Sequence, residues 1–491
     1  MIDNLNKKKL VILGGGTAGW MAANLFSKHL SEHFQIILIE SPEIGIVGVG
    51  EGSTPSLKRF FENLEIEEAD WMPKCNATYK LNIRFSGWSP QSGITEYSHP
   101  FMSQVDLFTK KAFYTNCLTR RLGLNVHTNP EDFFLNGILA KQKKSPIAGI
   151  NFPFTVEYGY HFDSQLLGNY LAEYAKTQGV KHYQQKVVDV VQSPNGNITK
   201  LILDSGLHLE ADFFIDCSGF ASVLMQKTLN VPFKSFNDNL FNDSAVVMPS
   251  QITDKVPVET LSTALSNGWA WKIPLTNRYG NGYVYSSSFL SKDKAELELI
   301  KLVGSSGDKQ KIRHLKMKVG QLKKHWQNNC LALGLSQGFI EPLEATALHL
   351  VQVSIELFIQ YFKDGGFSNE FQTSYNEKIS ERFERVRDYI VAHYKLNTRS
   401  DSHYWQANRE NLHLSDSLRH ILDVWYRRGN LELEIERQKL ETHFNAASWH
   451  CLLSGYGVYP KLAPNQPGKG DLYLDENIQS FLTRCAMNFK I

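Results

Sequence analysis

Three glycines and an acid are the first residues of this chain whose types and spacing could do chemistry. Gly14, Gly16 and Gly19 follow the apolar run Leu10-Val11-Ile12-Leu13 and fit G-x-G-x-x-G. Glu40 closes a second apolar run, Ile36-Ile37-Leu38-Ile39, about 20 residues further on, where a dinucleotide fold places its acid. Gly14 permits the tight turn, Gly16 lets a pyrophosphate approach the backbone, and Gly19 lets helix and strand pack closely. The helical pattern that follows, Trp20 to about Leu30, offers free N–H groups and a positive dipole end at its start to the phosphates, with Thr17 and Ala18 of the glycine turn as further cofactor contacts. Glu40 is placed to accept hydrogen bonds from the adenosine ribose. A bound dinucleotide is the expectation, and a glycine turn in another α/β unit is the plainer alternative.

Other stretches offer competing chemistry. Gly334-Leu335-Ser336-Gln337-Gly338 is a G-x-S-x-G, with Asp388 and His393 downstream in the hydrolase order. Pro342 follows closely and points to a helix that begins later, which argues against a nucleophile elbow. The 16 histidines show no H-E-x-x-H and no Cys/His cluster at metal spacing, so no metal is expected. Trp269-Ala270-Trp271-Lys272-Ile273-Pro274 reads as a strand with two indoles on one face, ending at a proline. Only one dinucleotide fingerprint is present, so a nicotinamide either binds by other means or reduced flavin arrives from elsewhere.

These residues need elements to hold them. The first 40 residues read as strand, glycine turn, helix, strand. Leu57 to Leu64 reads as a helix, and Tyr79 to Phe85 as a strand alternating Tyr79, Leu81, Ile83, Phe85 with Lys80, Asn82, Arg84. Residues 91–160 look loop-rich and aromatic. Asp163 or Ser164 caps a helix carrying Leu166, Leu167, Tyr170 and Leu171. Strands follow at Lys186–Val191, Ile198–Asp204 and Phe213–Ile215, with a turn at Pro194-Asn195-Gly196-Asn197. Short β-runs occupy Ala245 to Phe289. Helices cover Ala345–Phe362, Glu370–Leu396 and Asp416–Arg427, and Pro460, Pro464 and Pro467 break the chain into an irregular tail.

Composition narrows the partners. With 52 basic and 50 acidic residues the net charge is +2, which gives no electrostatic case for nucleic acid or membrane. The longest apolar stretch, Leu348 to Phe362, carries His349, Gln352, Glu356 and Gln360 and is too short and polar to span a bilayer. Lys7, Lys8 and Lys9 precede an apolar run of only four residues, so no signal peptide is read there. The six cysteines are scattered, as for free thiols in a reducing, cytoplasmic compartment.

W-x-W-x-I-P at Trp269, Trp271 and Pro274, taken with G-x-G-x-x-G-W at Gly14–Trp20, resembles the flavin-dependent halogenases of the tryptophan halogenase family. Stretches 48–52, 75–80, 160–163, 216–220, 339–346 and 387–394 agree with it, and the likeness runs from residue 10 to about 460. The resemblance implies an α/β Rossmann-type FAD-binding domain like that of flavin monooxygenases, in pieces 1–90, 150–225 and 325–365. It also implies a β-rich insertion (91–149 and 226–324) and a mainly helical, substrate-capping region (366–491).

The same resemblance implies the chemistry. Reduced FAD from a separate flavin reductase, oxygen and a halide ion give hypohalous acid. This passes through a tunnel, away from the flavin and its tryptophan wall, to a lysine that delivers the halogen to an electron-rich aromatic. Lys80 matches that lysine, although residue types alone read it as a solvated strand lysine. Glu344 matches the assisting glutamate; taken alone it is a helix N-terminal acid. The halide falls to the N–H groups of Thr346 and Ala347, the cofactor to Gly50, Glu51, Val187, Leu335 and Leu348 besides the fingerprint, and the substrate pocket to His99, Phe101 and Trp449. Ala345, Ala347 and Glu341 depart from the Ser, Gly and Asp of the tryptophan-specific members. The C-terminal stretch Ser448–Pro460 lacks the tyrosine pair and glutamate that hold free tryptophan, so indoles, phenols or a larger indole-containing molecule are the expected substrates. A homodimer is a further expectation. A flavin hydroxylase and a flavin-bound redox-responsive protein without turnover are the alternatives.

Overall fold

The computed structural model describes residues 7–43, 45, 50–440, 444–462 and 476–490. The chain divides into two compact units, Met1–Ala77 with Phe162–Asn237 and Met317–Glu384, and Thr78–His161 with Asp238–Lys316 and Arg385–Ile491. This division differs from the three-part expectation. Residues 78–90 and the chain from 385 onward fall in the second unit, and the first unit extends to 384.

In the first unit a six-stranded sheet runs in the order 326–327, 330–332, 213–216, 8–13, 34–40, 181–184. Strand Lys8–Leu13 lies at its centre, parallel to both neighbours, with Leu10 opposite Ile36 and Phe213. Its continuous apolar run is what a strand covered on both faces requires, and Leu10, Val11 and Ile12 are fully buried. One face packs on an antiparallel meander, Val187–Gln192, Ile198–Leu203 and His208–Glu210, through Val11, Leu13, Ile37, Ile39, Leu201 and Leu203. An aromatic cluster fills part of the remaining core. Phe358 of helix Ala347–Asp364 lies 5.8 Å from Phe26 of helix Thr17–Leu30 and 4.9 Å from Trp326. Asp163 is the cap of helix Ser164–Thr177, accepting from the N–H groups of Gln165 and Leu166.

The second unit is built on a seven-stranded sheet in the order 313–316, 244–250, 279–285, 268–274, 259–265, 82–86, 96–100. All neighbours are antiparallel except Glu259–Leu265 with Asn82–Ser86. Helix Lys292–Val303 buries Ala295 and Leu299 against Ala270, Tyr283, Val246 and Met248. Trp269 and Trp271 share a face, as the alternation predicts, with ring centroids 6.0 Å apart. The Trp271 indole lies flat over Gly282, where a Cβ would overlap the ring.

Several expectations need correction. The single strand over 79–85 is two, Thr78–Lys80 and Asn82–Ser86, interrupted at Leu81. The interruption moves the first piece into register with Gly159–Phe162, Thr78 opposite His161. Residues 91–149 are not β-rich. They hold one strand, Glu96–Pro100, and helices Lys110–Arg121 and Leu135–Lys141, whose apolar positions are too few for a clean period. The helix expected from Ala345 starts at Ala347, because Ala345 itself is left-handed (φ 55°). The helix expected over 370–396 spans Gln372–Lys395. Short helices His403–Glu410, Leu431–Arg437 and Ala446–Gly455 gave no sequence signal. Ile46 to Val49, Pro464 and Pro467 lie outside the described residues.

Candidate active site

In the first unit the glycine turn is built on contact. At Gly14 (φ 119°) an added Cβ would overlap the Cys217 carbonyl, and at Gly19 it would overlap the Gly14 carbonyl. Only glycine permits this approach of turn, helix and strand. At Gly16 an added Cβ would meet nothing within 4 Å. Gly16 also precedes helix Thr17–Leu30 with no side-chain cap, so the N–H groups of Thr17, Ala18 and Gly19 have no partner within the helix. Open space, free donors and a positive helix end fit a pyrophosphate. FAD therefore fits these residues.

Glu40 stands at the end of its strand, and His182 Nε2 lies 2.8 Å from its Oε1. The His182 ring meets Trp20 edge-on at 5.0 Å. Gly15, silent in the fingerprint, belongs to this arrangement, because a Cβ there would overlap the Glu40 carboxylate. Gly50 (φ 86°) is buried and leads into Glu51, whose Oε1 accepts from the Ser164 hydroxyl at 2.8 Å. Desolvation holds the Glu51 carboxyl above its usual range, partly offset by that hydroxyl. Val187 is half-buried on the meander, Leu335 is half-buried, and Leu348 is buried in the first turn of its helix. Gly334 (φ 65°) brings the Leu335 loop onto Ala18, where a Cβ would crowd the Ala18 methyl.

The hydrolase reading fails here. Ser336 is buried in a 3-10 turn, Gly334–Ser336, with no strand-to-helix elbow, and its hydroxyl donates to the carbonyls of Leu333 and Asp216. His393 Nδ1 pairs with the Tyr456 hydroxyl at 3.1 Å, and Asp388 is bound to Arg387 and Ser415.

Glu344 ends a 3-10 turn, Pro342–Glu344, and is 3% exposed. Thr346 is buried, and its hydroxyl has no partner among the described residues. It caps the helix beginning at Ala347 without a side-chain bond, leaving first-turn N–H groups for an anion.

In the second unit Lys80 is 0% exposed, and its ammonium lies 5.5 Å from the centre of the Phe101 ring. The plain reading of a solvated lysine is therefore excluded. Asn82 is equally buried, and Arg84 pairs with Glu259 and Glu131 at 2.9 and 3.0 Å. His99 Nε2 lies 3.1 Å from the Ser448 hydroxyl. The Tyr389 ring is 4.9 Å from Trp449 and 6.0 Å from His99, and it stacks on Phe444 at 3.7 Å. His99 and Trp449 thus meet through Tyr389 in an aromatic wall, and Phe101 carries Lys80. Tyr389 lies in the stretch 387–394 but is not singled out for the pocket by sequence, since an aromatic in a helix reads as core, and Phe444, in a bend before helix Ala446–Gly455, carries no sequence signal.

Among the described residues no group of three His, Cys, Asp or Glu side chains could hold a metal, and no helix is long and apolar enough to cross a membrane. The described cysteines are all free.

A sequence model of the family "Tryptophan halogenase" matches residues 9–467. The chain is 35% identical over 448 residues to the tryptophan 6-halogenase of Streptomyces toxytricini, covering 86% of this chain and 85% of that protein. It is 32% identical over 480 residues to the tryptophan 7-halogenase of Lentzea aerocolonigenes, covering 92% and 90%. The solved structure of a flavin-dependent halogenase from Xanthomonas campestris superposes with a TM-score of 0.85 at 31% identity, over 98% of this chain and 96% of that one. With the family's description matched across almost its whole length, the chain belongs to the tryptophan halogenase family.

Proposed function

We propose that this chain is an FADH2-dependent halogenase that places chlorine or bromine on an electron-rich aromatic such as an indole. The observation that supports it most is the full burial of Lys80 against Phe101. A lysine is seldom held fully out of water on a sheet unless it is paired or its amine is used.

Bound reduced FAD supplies, with oxygen, the oxidising power that turns a halide into hypohalous acid. The chain's residues do the rest. Gly16 and the first turn Thr17–Gly19 hold the pyrophosphate, and Glu40 accepts from the ribose. The N–H groups of Thr346 and Ala347 bind halide. Lys80 donates a proton to the hypohalous oxygen, which leaves as water as the halogen–oxygen bond breaks and the ring carbon–halogen bond forms. Glu344 stabilises the cationic ring and takes its proton. His99, Phe101 and Trp449 hold the ring. Reduced flavin comes from a separate reductase, a homodimer is the expected assembly, and free cysteines suit a reducing cytoplasm.

Purified protein incubated with reduced FAD, oxygen, bromide and a panel of indoles and phenols, read by mass spectrometry, tests this. A brominated product is expected. Hydroxylated product alone, or no turnover of any ring, would overturn it.

A further inference from the structure

We propose that His161 is a positioning residue for Lys80, acting through a hydrogen-bond relay Thr260–His161–Thr78–Pro274. The proposal rests on the reading that Lys80 delivers the halogen.

The relay is directional. The Thr78 hydroxyl donates to the Pro274 carbonyl at 2.7 Å, so its single proton is committed there. Towards His161 Nδ1, 3.1 Å away, the Thr78 oxygen can only accept, which places the imidazole proton on Nδ1. Nε2 is then a bare acceptor and receives the Thr260 hydroxyl at 2.9 Å. His161 is fully buried, and burial, reinforced by the charge of Lys80, keeps the ring neutral by holding its pKa well below the usual value. A neutral ring in one tautomer has both nitrogens satisfied.

The relay is tied to the lysine through the backbone. Thr78 and Lys80 lie on one short strand, Thr78–Lys80, paired to the strand carrying His161. Leu81, next in line, donates its N–H to the Val258 carbonyl and accepts from Phe101. The segment bearing Lys80 is thus held at one end by the sheet and at the other by the relay to the last residue of W-x-W-x-I-P. A lysine has a flexible four-carbon stem and a point-like charge, so its aim depends on where its backbone is fixed. A short strand interrupted at Leu81 has few ladder bonds of its own to fix it. A shift of about 1 Å at a reacting group can cost about a hundredfold in rate.

Thr78→Val keeps the shape and removes the relay's middle hydroxyl, whereas Thr78→Ser keeps the hydroxyl. The readouts are kcat and KM for an accepted aromatic, FAD affinity, and free hypohalous oxidant trapped by a soluble diketone scavenger. For Thr78→Val, kcat is expected to fall by about tenfold or more while KM and FAD affinity stay within about twofold and trapped oxidant rises. Thr78→Ser is expected to restore kcat to within about threefold of the parent. If Thr78→Val does not fold, Thr260→Val, at the far end of the relay, is read the same way and should lower kcat by about threefold. Unchanged kcat in the valine variant, or a loss that serine does not rescue, overturns the positioning role. A parent enzyme that forms no halogenated product removes the halogenase reading itself, an outcome seen before any variant is made.

Discussion

A Cβ on Gly15 would occupy the space of the Glu40 carboxylate, so the residue between the first two fingerprint glycines fixes where the proposed ribose acceptor stands. The same carboxylate has His182 Nε2 at 2.8 Å, leaving its other oxygen for a ligand. Gly15→Ala should therefore displace Glu40 and weaken FAD binding by on the order of tenfold, about 1.4 kcal/mol. Gly16→Ala meets no protein atom within 4 Å and should leave the empty protein as stable as the parent, yet its methyl would enter the proposed pyrophosphate space and weaken FAD binding. Fluorescence titration of FAD and a thermal melt without FAD check both. Equal FAD affinity in Gly15→Ala and the parent would refute the first claim.

Lys80→Met keeps the apolar stem and removes the amine from a fully buried position. Ring halogenation should fall by more than about a hundredfold while oxygen and reduced FAD are still consumed. Product formation and oxygen uptake, measured together, separate loss of delivery from loss of the flavin reaction. A variant with full product yield would end the assignment.

Glu344 is 3% exposed at the end of a 3-10 turn, so Glu344→Gln alters charge with little change of shape. If its carboxylate accepts the ring proton, kcat should drop about a hundredfold, the ordinary scale of a lost acid–base group. KM for the aromatic should change little. Steady-state kinetics over a substrate series decide it, and an unchanged kcat would leave Glu344 as a helix-end acid.

Much of this was legible before any coordinates. The parallel strands over 8–13 and 34–40 carry unbroken apolar runs, and the glycine spacing has a steric reason that the Gly14 and Gly19 contacts repeat. Lys80 was not legible from its residue type. A strand that alternates Tyr79, Leu81, Ile83 and Phe85 reads as half-solvated, and only packing on both faces buries the other side. Likewise the left-handed Ala345 breaks a helical pattern with a residue that carries no turn signal. His161 sits in a short apolar run and shows its role only through two hydroxyls distant in sequence.

Buried histidines contribute to the fold's sensitivity to acid. His325 and His450 are each pushed to about 3, by burial alone at His325 and chiefly by burial at His450. In the unfolded chain both titrate near 6.5, so the unfolded state takes up their protons first as pH falls. Stability from their neutrality is complete above about pH 6.5 and is lost progressively down to about pH 3, at up to about 1.4 kcal/mol per pH unit for each. Among the described residues His325 Nε2 donates to Gln321 Oε1 at 3.1 Å, Nδ1 has no partner, and the ring stacks on Phe383 at 5.4 Å. His325→Phe keeps that stacking without a titratable ring. Between pH 7 and 5 it should lose about 2 kcal/mol less stability than the parent, whatever its stability at pH 7. Urea unfolding at both pH values measures the difference, and equal acid losses in the two proteins would show that His325 is not neutral in the native state.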